Sequence, residues 1–304
     1  MRSRLSDLLN PFWKPLALAG GIALVDALWE PSQLKVTRLD LPIDDVSRQL
    51  VGLKLAQLSD LHVGGRGWRR GTLVDAIDAC NRADVDLVAI TGDFIGSVHG
   101  AADCLKLLSG LRADVPRLAV LGNHDHVHGG KPLQELLQGL DILGIRVLSN
   151  QALSLELPSG RLWVAGVNDG YGMRDDLDRV RRILGPAEFP RLLLTHYPDV
   201  ADQLRPGEFQ LVLAGHSHGG QVRLPFITSL VHNSHARTKY GSGLYWVNGN
   251  PLYVNPGLGV SGVPFRFRNW PELTLLRFAA SGSAESVQAD GAIRHRNGLR
   301  TRRG

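Results

Sequence analysis

Cysteine is almost missing from the 304-residue chain: Cys80 and Cys104 are the full complement. Two thiols can neither frame a disulfide-stapled fold nor fill a Cys-rich zinc site, and each falls in a segment of helical period, where it reads as core. Acidic residues are missing from 209–271, a stretch that carries Arg223, Arg237, Lys239, Arg266 and Arg268 with His232 and His235. A local positive field of that kind steers anions toward it. Long apolar runs are scarce as well. Near a terminus there is one, PLALAGGIALVDALW at 15–29. Its roughly 14 apolar positions reach about 21 Å as a helix, short of a hydrocarbon core of about 30 Å, and Asp26 interrupts it.

What is present suits an ordinary globular protein. A 43% hydrophobic and 21% charged composition excludes global disorder, collagen and coiled coil. The net charge of +5 belongs to the ends: Arg2, Arg4 and Lys14 at one, Arg294, Arg296, Arg300, Arg302 and Arg303 at the other, with a balanced body between them. A nucleic-acid binder carries a basic body, so no nucleic-acid partner is expected. Basic residues ahead of an apolar run flanked by Trp13 and Trp29 fit peripheral or shallow anchoring on an anionic membrane. An export signal, a true span and a soluble core helix are the other readings of that run. The expected organisation is a membrane-associating segment at 1–30, one catalytic domain at 31–280 and a basic, disordered tail at 281–304. Within the acid-free stretch, LPFITSLV at 224–231 reads as a lid, an acyl groove, a membrane-facing loop or a buried segment.

Strand-length apolar runs alternate with helical periods along the body. Strands are predicted at 53–58, 86–91 and 117–121, and helices at 72–82, 101–111 and 131–143, an order that implies a parallel sheet. The second half reads as strands at 153–157, 162–166, 191–195 and 211–214 with a helix at 176–184. Runs at 244–247, 252–255 and 272–278 read as hairpin strands closing a second sheet. The fold class is α/β, a two-sheet β-sandwich flanked by helices.

Polar residues with metal-ligating atoms recur at the carboxyl ends of these strands, where open α/β sheets place their sites. They are Asp60-Leu61-His62, Gly92-Asp93, Gly122-Asn123-His124-Asp125, Thr195-His196 and Gly215-His216-Ser217-His218. Each alone is common; five successive strand ends of this kind are not. Gly92, Gly122 and Gly215 allow the tight turns that aim them. Asp60, His62, Asp93, Asn123, His196, His216 and His218 are too many for one tetrahedral zinc, and suit two divalent ions sharing a carboxylate. Two such ions bind a bridging hydroxide and clamp phosphoryl oxygens, so phosphoester hydrolysis is the reaction this set serves best.

In order and spacing over 53–278, these motifs resemble those of calcineurin-like metallophosphoesterases. The resemblance implies one ion on Asp60, His62, Asp93 and His218, and a second on Asp93, Asn123, His196 and His216. It makes His124 the residue that stabilises the transition state or protonates the leaving oxygen, with Asp125 orienting its ring. Metal identity stays open among Mn, Fe and Zn. The segments 219–225 and 257–274 resemble a bacterial membrane-associated phosphodiesterase branch that includes UDP-2,3-diacylglucosamine pyrophosphatases of lipid A synthesis. Gly96 stands where many relatives have a second Asp, and Pro256 where they often have Arg. Arg223 and Arg266 are the candidate substrate-binding residues. The expectation is a phosphodiesterase or pyrophosphatase with a phosphate-containing, lipid-linked substrate such as UDP-2,3-diacylglucosamine. The alternatives are a soluble phosphodiesterase of nucleotide or cell-wall substrates and a non-catalytic scaffold.

Overall fold

The computed structural model describes residues 17–43, 45–186, 190–223, 238–280, 286–289 and 292–293. The apolar stretch 224–231, with His232 and His235, lies outside them, as do 1–16 and most of the basic tail.

Helix α1 (17–29) leads into strand β1 (Lys35–Pro42). The predicted alternation follows as β2 (Lys54–Leu58), α2 (Arg70–Arg82), β3 (Leu87–Thr91), α3 (Gly100–Leu108) and β4 (Arg117–Val120). A short α4 (Asn123–Val127), α5 (Gly130–Ile142) and β5 (Ile145–Val147) close this half. The second half contains β6 (Gln151–Leu157), β7 (Gly160–Gly166), α6 (Leu177–Leu184), β8 (Arg191–Leu194), β9 (Leu211–Ala214), β10 (Gly243–Val247) and β11 (Asn250–Val254). Strands β12 (Glu272–Ala279), β13 (Ser286–Ala289) and β14 (Ala292–Ile293) complete the chain.

Two sheets result, in the orders β14-β13-β1-β12-β2-β3-β4-β5 and β10-β11-β9-β8-β7-β6. Strands β2 to β5 run parallel, as do β7, β8, β9 and β11. The period-two alternation of a strand divides its side chains between two cores. Leu55, Leu87, Ala89, Leu118 and Val120 meet Leu162, Val164, Leu192, Leu194, Leu211 and Leu213 between the sheets. Ala56, Leu58, Val88, Ile90 and Ala119 point the other way, onto Leu73, Ile77 and Cys80 of α2, Cys104 and Leu108 of α3, and Leu136 and Leu140 of α5. Covered on both faces, β3 (LVAIT) is apolar apart from its last residue and buried throughout. Both cysteines are buried, as their helical positions predicted. On the outer face of the second sheet, Leu177, Val180 and Leu184 of α6 pack over Ala165, Leu193 and Val212.

The α/β sandwich expected from the sequence is therefore present, with two corrections to its edges. The run at 272–278 joins the first sheet, pairing parallel with β1 and antiparallel with β2, whereas β10 and β11 form the expected hairpin of the second. β1 is half-buried and interrupted by Lys35, Arg38 and Asp40 (KVTRLDLP), so it lacks the apolar run that marks the central strands. The tail is not wholly without structure either: β13 pairs antiparallel with β1 over 286–289. Helix α1 exposes Leu18, Ile22, Leu24, Val25, Leu28 and Trp29 and buries Ala27. Among the described residues no helix is long and apolar enough to cross a membrane.

Candidate metal centre

The loops that leave β2, β3, β4, β8 and β9 converge at one edge of the sandwich, and the hydrogen bonds of the sheet continue into them. Asp60 N–H donates to Gly92 O and His62 N–H to Asp93 O, each at 3.0 Å, while Gly215 N–H reaches His196 O at 3.1 Å. The chain then turns sharply to aim its ligating atoms inward. Asp60, His62, Asp93, His216 and His218 all adopt left-handed backbone conformations, with φ between 45° and 69°. Such conformations cost about 1 kcal/mol or more in a non-glycine residue, and a cluster of them marks a functional site held by its surroundings. Gly122 is required by proximity, since a Cβ there would stand 2.2 Å from Asp93 Oδ1.

All seven candidate ligands are brought together. Asp60, His62, Asp93 and His218 are buried and offer ligand atoms within 4.8 Å of one another. His62 Nε2 is 3.0 Å from His218 Nε2, and His218 Nε2 is 3.4 Å from Asp60 Oδ1. Beside them, Asn123 Oδ1 lies 2.9 Å from His216 Nδ1 and 3.2 Å from His196 Nε2. The two groups meet at Asp93, whose Oδ2 is 3.3 Å from both His62 Nε2 and His196 Nε2.

Outer partners fix which atoms face inward. His196 Nδ1 is 2.7 Å from Thr91 O, so that nitrogen carries a proton and Nε2 is the atom turned inward toward Asp93. Ser59 donates to Asp60 Oδ2 at 2.5 Å and accepts from Thr91 Oγ1 at 2.7 Å, and Gln57 Nε2 donates to Thr91 Oγ1 at 3.0 Å. Burial raises the Asp60 carboxyl above its ordinary range, and the neighbouring Asp93 adds to the shift. Burial alone would raise Asp93 too, but the imidazoles of His196 and His62 outweigh it and hold that carboxyl well below the carboxylate range. His196, which burial would lower, is pulled up to about 10 by Asp93. Burial, reinforced by His62 and Arg266, keeps His218 neutral. Among the described residues its buried Nδ1 has no hydrogen-bond partner. Carboxylate oxygens, an amide oxygen and imidazole nitrogens, with no thiolate, form a donor set that fits divalent cations.

Three expectations are corrected or sharpened. Asp125 does not orient the His124 ring: its Oδ1 accepts from the backbone N–H groups of Phe94 and Ile95, and its Oδ2 from that of Gly122. It ties the loop bearing Asp93 to the loop bearing Asn123, and burial with the nearby Asp93 lifts its pKa to about 7. Arg266 is fully buried, its guanidinium donating to the carbonyls of Pro256, Gly257, Gly259 and Asn269, so it builds the closing loop and is not presented to a substrate. Arg223 is half-buried in the turn after His218, donating to Gly219 O at 3.1 Å and to Ser242 Oγ.

Residues that sequence reasoning missed complete the surroundings. The rings of Tyr171 and Tyr197 pack 4.9 and 5.2 Å from that of His216. Ser261 Oγ lies 3.4 Å from His124 Nε2. Gln57 and Thr91, polar residues inside otherwise apolar strands, were a readable signal; the tyrosines and Ser261, on irregular loops, left none.

This fold and this site define a metal-dependent phosphoester hydrolase. The family model for calcineurin-like phosphoesterases matches residues 53–220. The metallophosphoesterase YkuE of Bacillus subtilis is 30% identical over 266 residues, spanning 86% of this chain and 90% of its own. The phosphodiesterase YaeI of Escherichia coli is 30% identical over 226 residues, 73% of this chain and 81% of its own. Among solved structures, an archaeal phosphodiesterase aligns over 67% of this chain and 84% of its own at 16% identity and a TM-score of 0.36. The chain belongs to the calcineurin-like phosphoesterase family.

Proposed function

We propose that the protein hydrolyses a phosphodiester or pyrophosphate bond with two divalent cations bridged by Asp93, acting on a lipid-linked substrate at a membrane surface. The observation that carries the two-cation reading is the position of Asp93 Oδ2, equidistant at 3.3 Å from an imidazole of each ligand group. When bound, two cations supply charge neutralisation to phosphoryl oxygens and lower the pKa of an attacking water. The chain's own residues do the rest. His196 and Asp60 are locked by Thr91 and Ser59, so the donors need no reorganisation. His124, at the rim with its ring 4.7 Å from that of His62 and its backbone N–H donating to Asp93 Oδ1 at 2.9 Å, carries a proton at Nε2 for the departing oxygen. Arg223 and the acid-free segment around it supply positive charge for the phosphate.

Lipid linkage is supported by α1, whose apolar side chains face solvent beside the closing loop. A soluble nucleotide or cell-wall phosphodiester is the competing substrate class.

The test is hydrolysis of bis-p-nitrophenyl phosphate by metal-stripped protein after addition of Mn²⁺, Fe²⁺ or Zn²⁺, with UDP-2,3-diacylglucosamine run in parallel. Metal-dependent turnover is expected, faster on the lipid nucleotide. Asp93→Asn is expected to lose about 1,000-fold or more in kcat/KM, in line with loss of a bridging ligand and its charge. Its bound metal, measured by atomic emission, should fall from two equivalents to one or none. Wild-type turnover by purified Asp93→Asn would overturn the reading.

A further inference from the structure

The loop that leaves β7 reaches the metal centre, although none of the candidate ligands lies on it. β7 runs parallel to β8, so its carboxyl end opens at the same edge as His196, and Val167 N–H continues the sheet by donating to Leu194 O at 3.1 Å. From this loop Tyr171 packs its ring against His216, tilted by 41°, and stands edge-on, at 76°, to the ring of Tyr197 5.8 Å away. Tyr197 is half-buried, whereas Tyr171 is 37% exposed, so an aromatic side chain held between two neighbours is open to solvent beside a candidate ligand.

The loop is built around that one side chain. Asn150 clamps both of its ends: Oδ1 accepts the N–H groups of Asn168 and Asp176 at 2.9 and 3.0 Å, and Nδ2 donates to Arg174 O at 2.8 Å. Asp169, fully buried, pairs with Arg174 at 3.3 Å and accepts the N–H groups of Tyr171 and Gly172, each at 3.0 Å. The glycines on either side of Tyr171 have no room for a side chain: a Cβ at Gly170 would stand 2.7 Å from Val200 Cγ2, and one at Gly172 2.5 Å from Asp169 Oδ2. His126 Nε2, 2.7 Å from Asn168 Oδ1, ties the loop to α4, which carries Asn123 and His124. A buried carboxylate is a costly device for shaping a surface loop, and what it fixes here is the tyrosine.

Resting on the phosphodiesterase reading above, we propose that Tyr171 sets the substrate class: its ring packs against an aromatic group, such as a nucleobase, carried on the ester arm that stays on phosphorus. His124, beside His62, serves the oxygen that departs, and Tyr171, beside His216 of the other ligand group, lies where the retained arm can be held. Stacking or edge-to-face contact with a flat ring is what an immobilised, partly exposed tyrosine offers, and it favours any aromatic group over an alkyl one. The preferred substrates are then aryl or nucleotide diesters and anhydrides, a lipid-linked nucleotide among them, ahead of wholly aliphatic phosphodiesters.

Two esters with the same leaving group test this on the full chain with bound Mn²⁺: bis-p-nitrophenyl phosphate, which retains an aryl arm, and ethyl p-nitrophenyl phosphate, which retains an alkyl one. Their intrinsic reactivities differ, but that difference cancels when the ratio of their kcat/KM values is compared between proteins. Tyr171→Leu, which keeps bulk and loses the π-face, is expected to lower the aryl-to-alkyl ratio about 10-fold, and Tyr171→Phe to keep it within about twofold of wild type. Equal losses on the two esters would make Tyr171 a support for His216 alone and overturn the proposal. A ratio lost in Tyr171→Phe would assign the effect to the hydroxyl and overturn it too. Calorimetric binding of adenosine 5′-monophosphate and ribose 5-phosphate to the Mn²⁺-loaded protein separates this from failure of the functional reading. Wild type should bind the nucleotide about 10-fold more tightly than the sugar phosphate, and Tyr171→Leu should bind the two alike. Equal affinities in wild type overturn the aromatic subsite. A base preference that Tyr171→Leu abolishes, in a protein that hydrolyses neither ester, overturns the phosphodiesterase reading and leaves the subsite standing.

Discussion

Arg266 shows how a residue's chemistry can be readable while its direction is not. An arginine in a segment without acids invites a phosphate-binding role, yet this one is fully buried and spends its donors on carbonyls of the closing loop. Burial lowers its pKa to about 10, which still leaves it charged at neutral pH. Truncation strands those carbonyls and opens a void, so Arg266→Ala is expected to destabilise the protein by about 3–5 kcal/mol. A urea-melt midpoint checks this; an unchanged midpoint with a raised KM would return Arg266 to the substrate. Gly122 makes the same point with less chemistry. Its missing Cβ would collide with Asp93 Oδ1 and with Asp93 N at 2.6 Å, so Gly122→Ala should displace the shared carboxylate. We expect metal occupancy measured by atomic emission to fall to one equivalent or fewer, with far-ultraviolet circular dichroism unchanged.

At the scale of elements, legibility followed burial. β3 and β9 were plain because strands covered on both faces are continuous apolar runs, and their ends displayed Asp93 and His216. β1 was invisible because an alternating, charged strand looks like loop, and β12 was placed in the wrong sheet because its pairing with β1 spans most of the chain. The ligands were legible for the same reason as the strands: each is anchored to a strand end. Ser261 and Tyr171 were not, since their approach to His124 and His216 depends on how irregular loops lie over the sheet edge. Helix α6 illustrates electrostatics that periodicity does not announce. Arg181 forks onto Glu208, Nε to Oε1 at 2.8 Å and Nη2 to Oε2 at 2.9 Å, and Glu208 also accepts the Arg205 N–H. Burial would raise the Glu208 pKa, but these partners outweigh it and hold it below the ordinary 4.5. A depressed carboxyl stabilises the fold above its unfolded pKa and loses that contribution as pH falls through the folded value. Glu208→Gln should therefore cost about 1–2 kcal/mol at pH 7 and less than half of that near pH 3. Urea melts of metal-free protein at the two pH values measure it; an equal deficit at both would remove the charge from the account.

For the whole molecule, the outstanding feature is where its apolar surface lies relative to its metal centre. Helix α1 exposes Leu18, Ile22 and Val25 on one side and Leu28 and Trp29 at its end. That end is fastened to the closing loop: Ala27 O accepts the Arg266 N–H at 3.1 Å, and the Glu30 carboxylate accepts the backbone N–H groups of Arg268 and Asn269. Asn269 in turn donates to His218 O, one bond from a candidate ligand. Val98, Met173, Val263 and Trp270 are exposed on the loops that follow β3, β7 and β11, and Val127 at the end of α4. A bilayer that received α1 would thus meet the closing loop to which the helix is fastened. A side chain of this size contributes about 1.5–3 kcal/mol when fully buried, so Ile22→Asp with Val25→Asp should weaken partitioning by about 10- to 100-fold even at half burial. The measurement is co-sedimentation with vesicles containing anionic lipid. Binding by wild type, its loss in the double variant, and unchanged turnover of soluble bis-p-nitrophenyl phosphate in both are expected, because neither residue touches the metal centre. Equal partitioning of the two proteins would detach α1 from any membrane role and shift the substrate toward the soluble phosphodiesters.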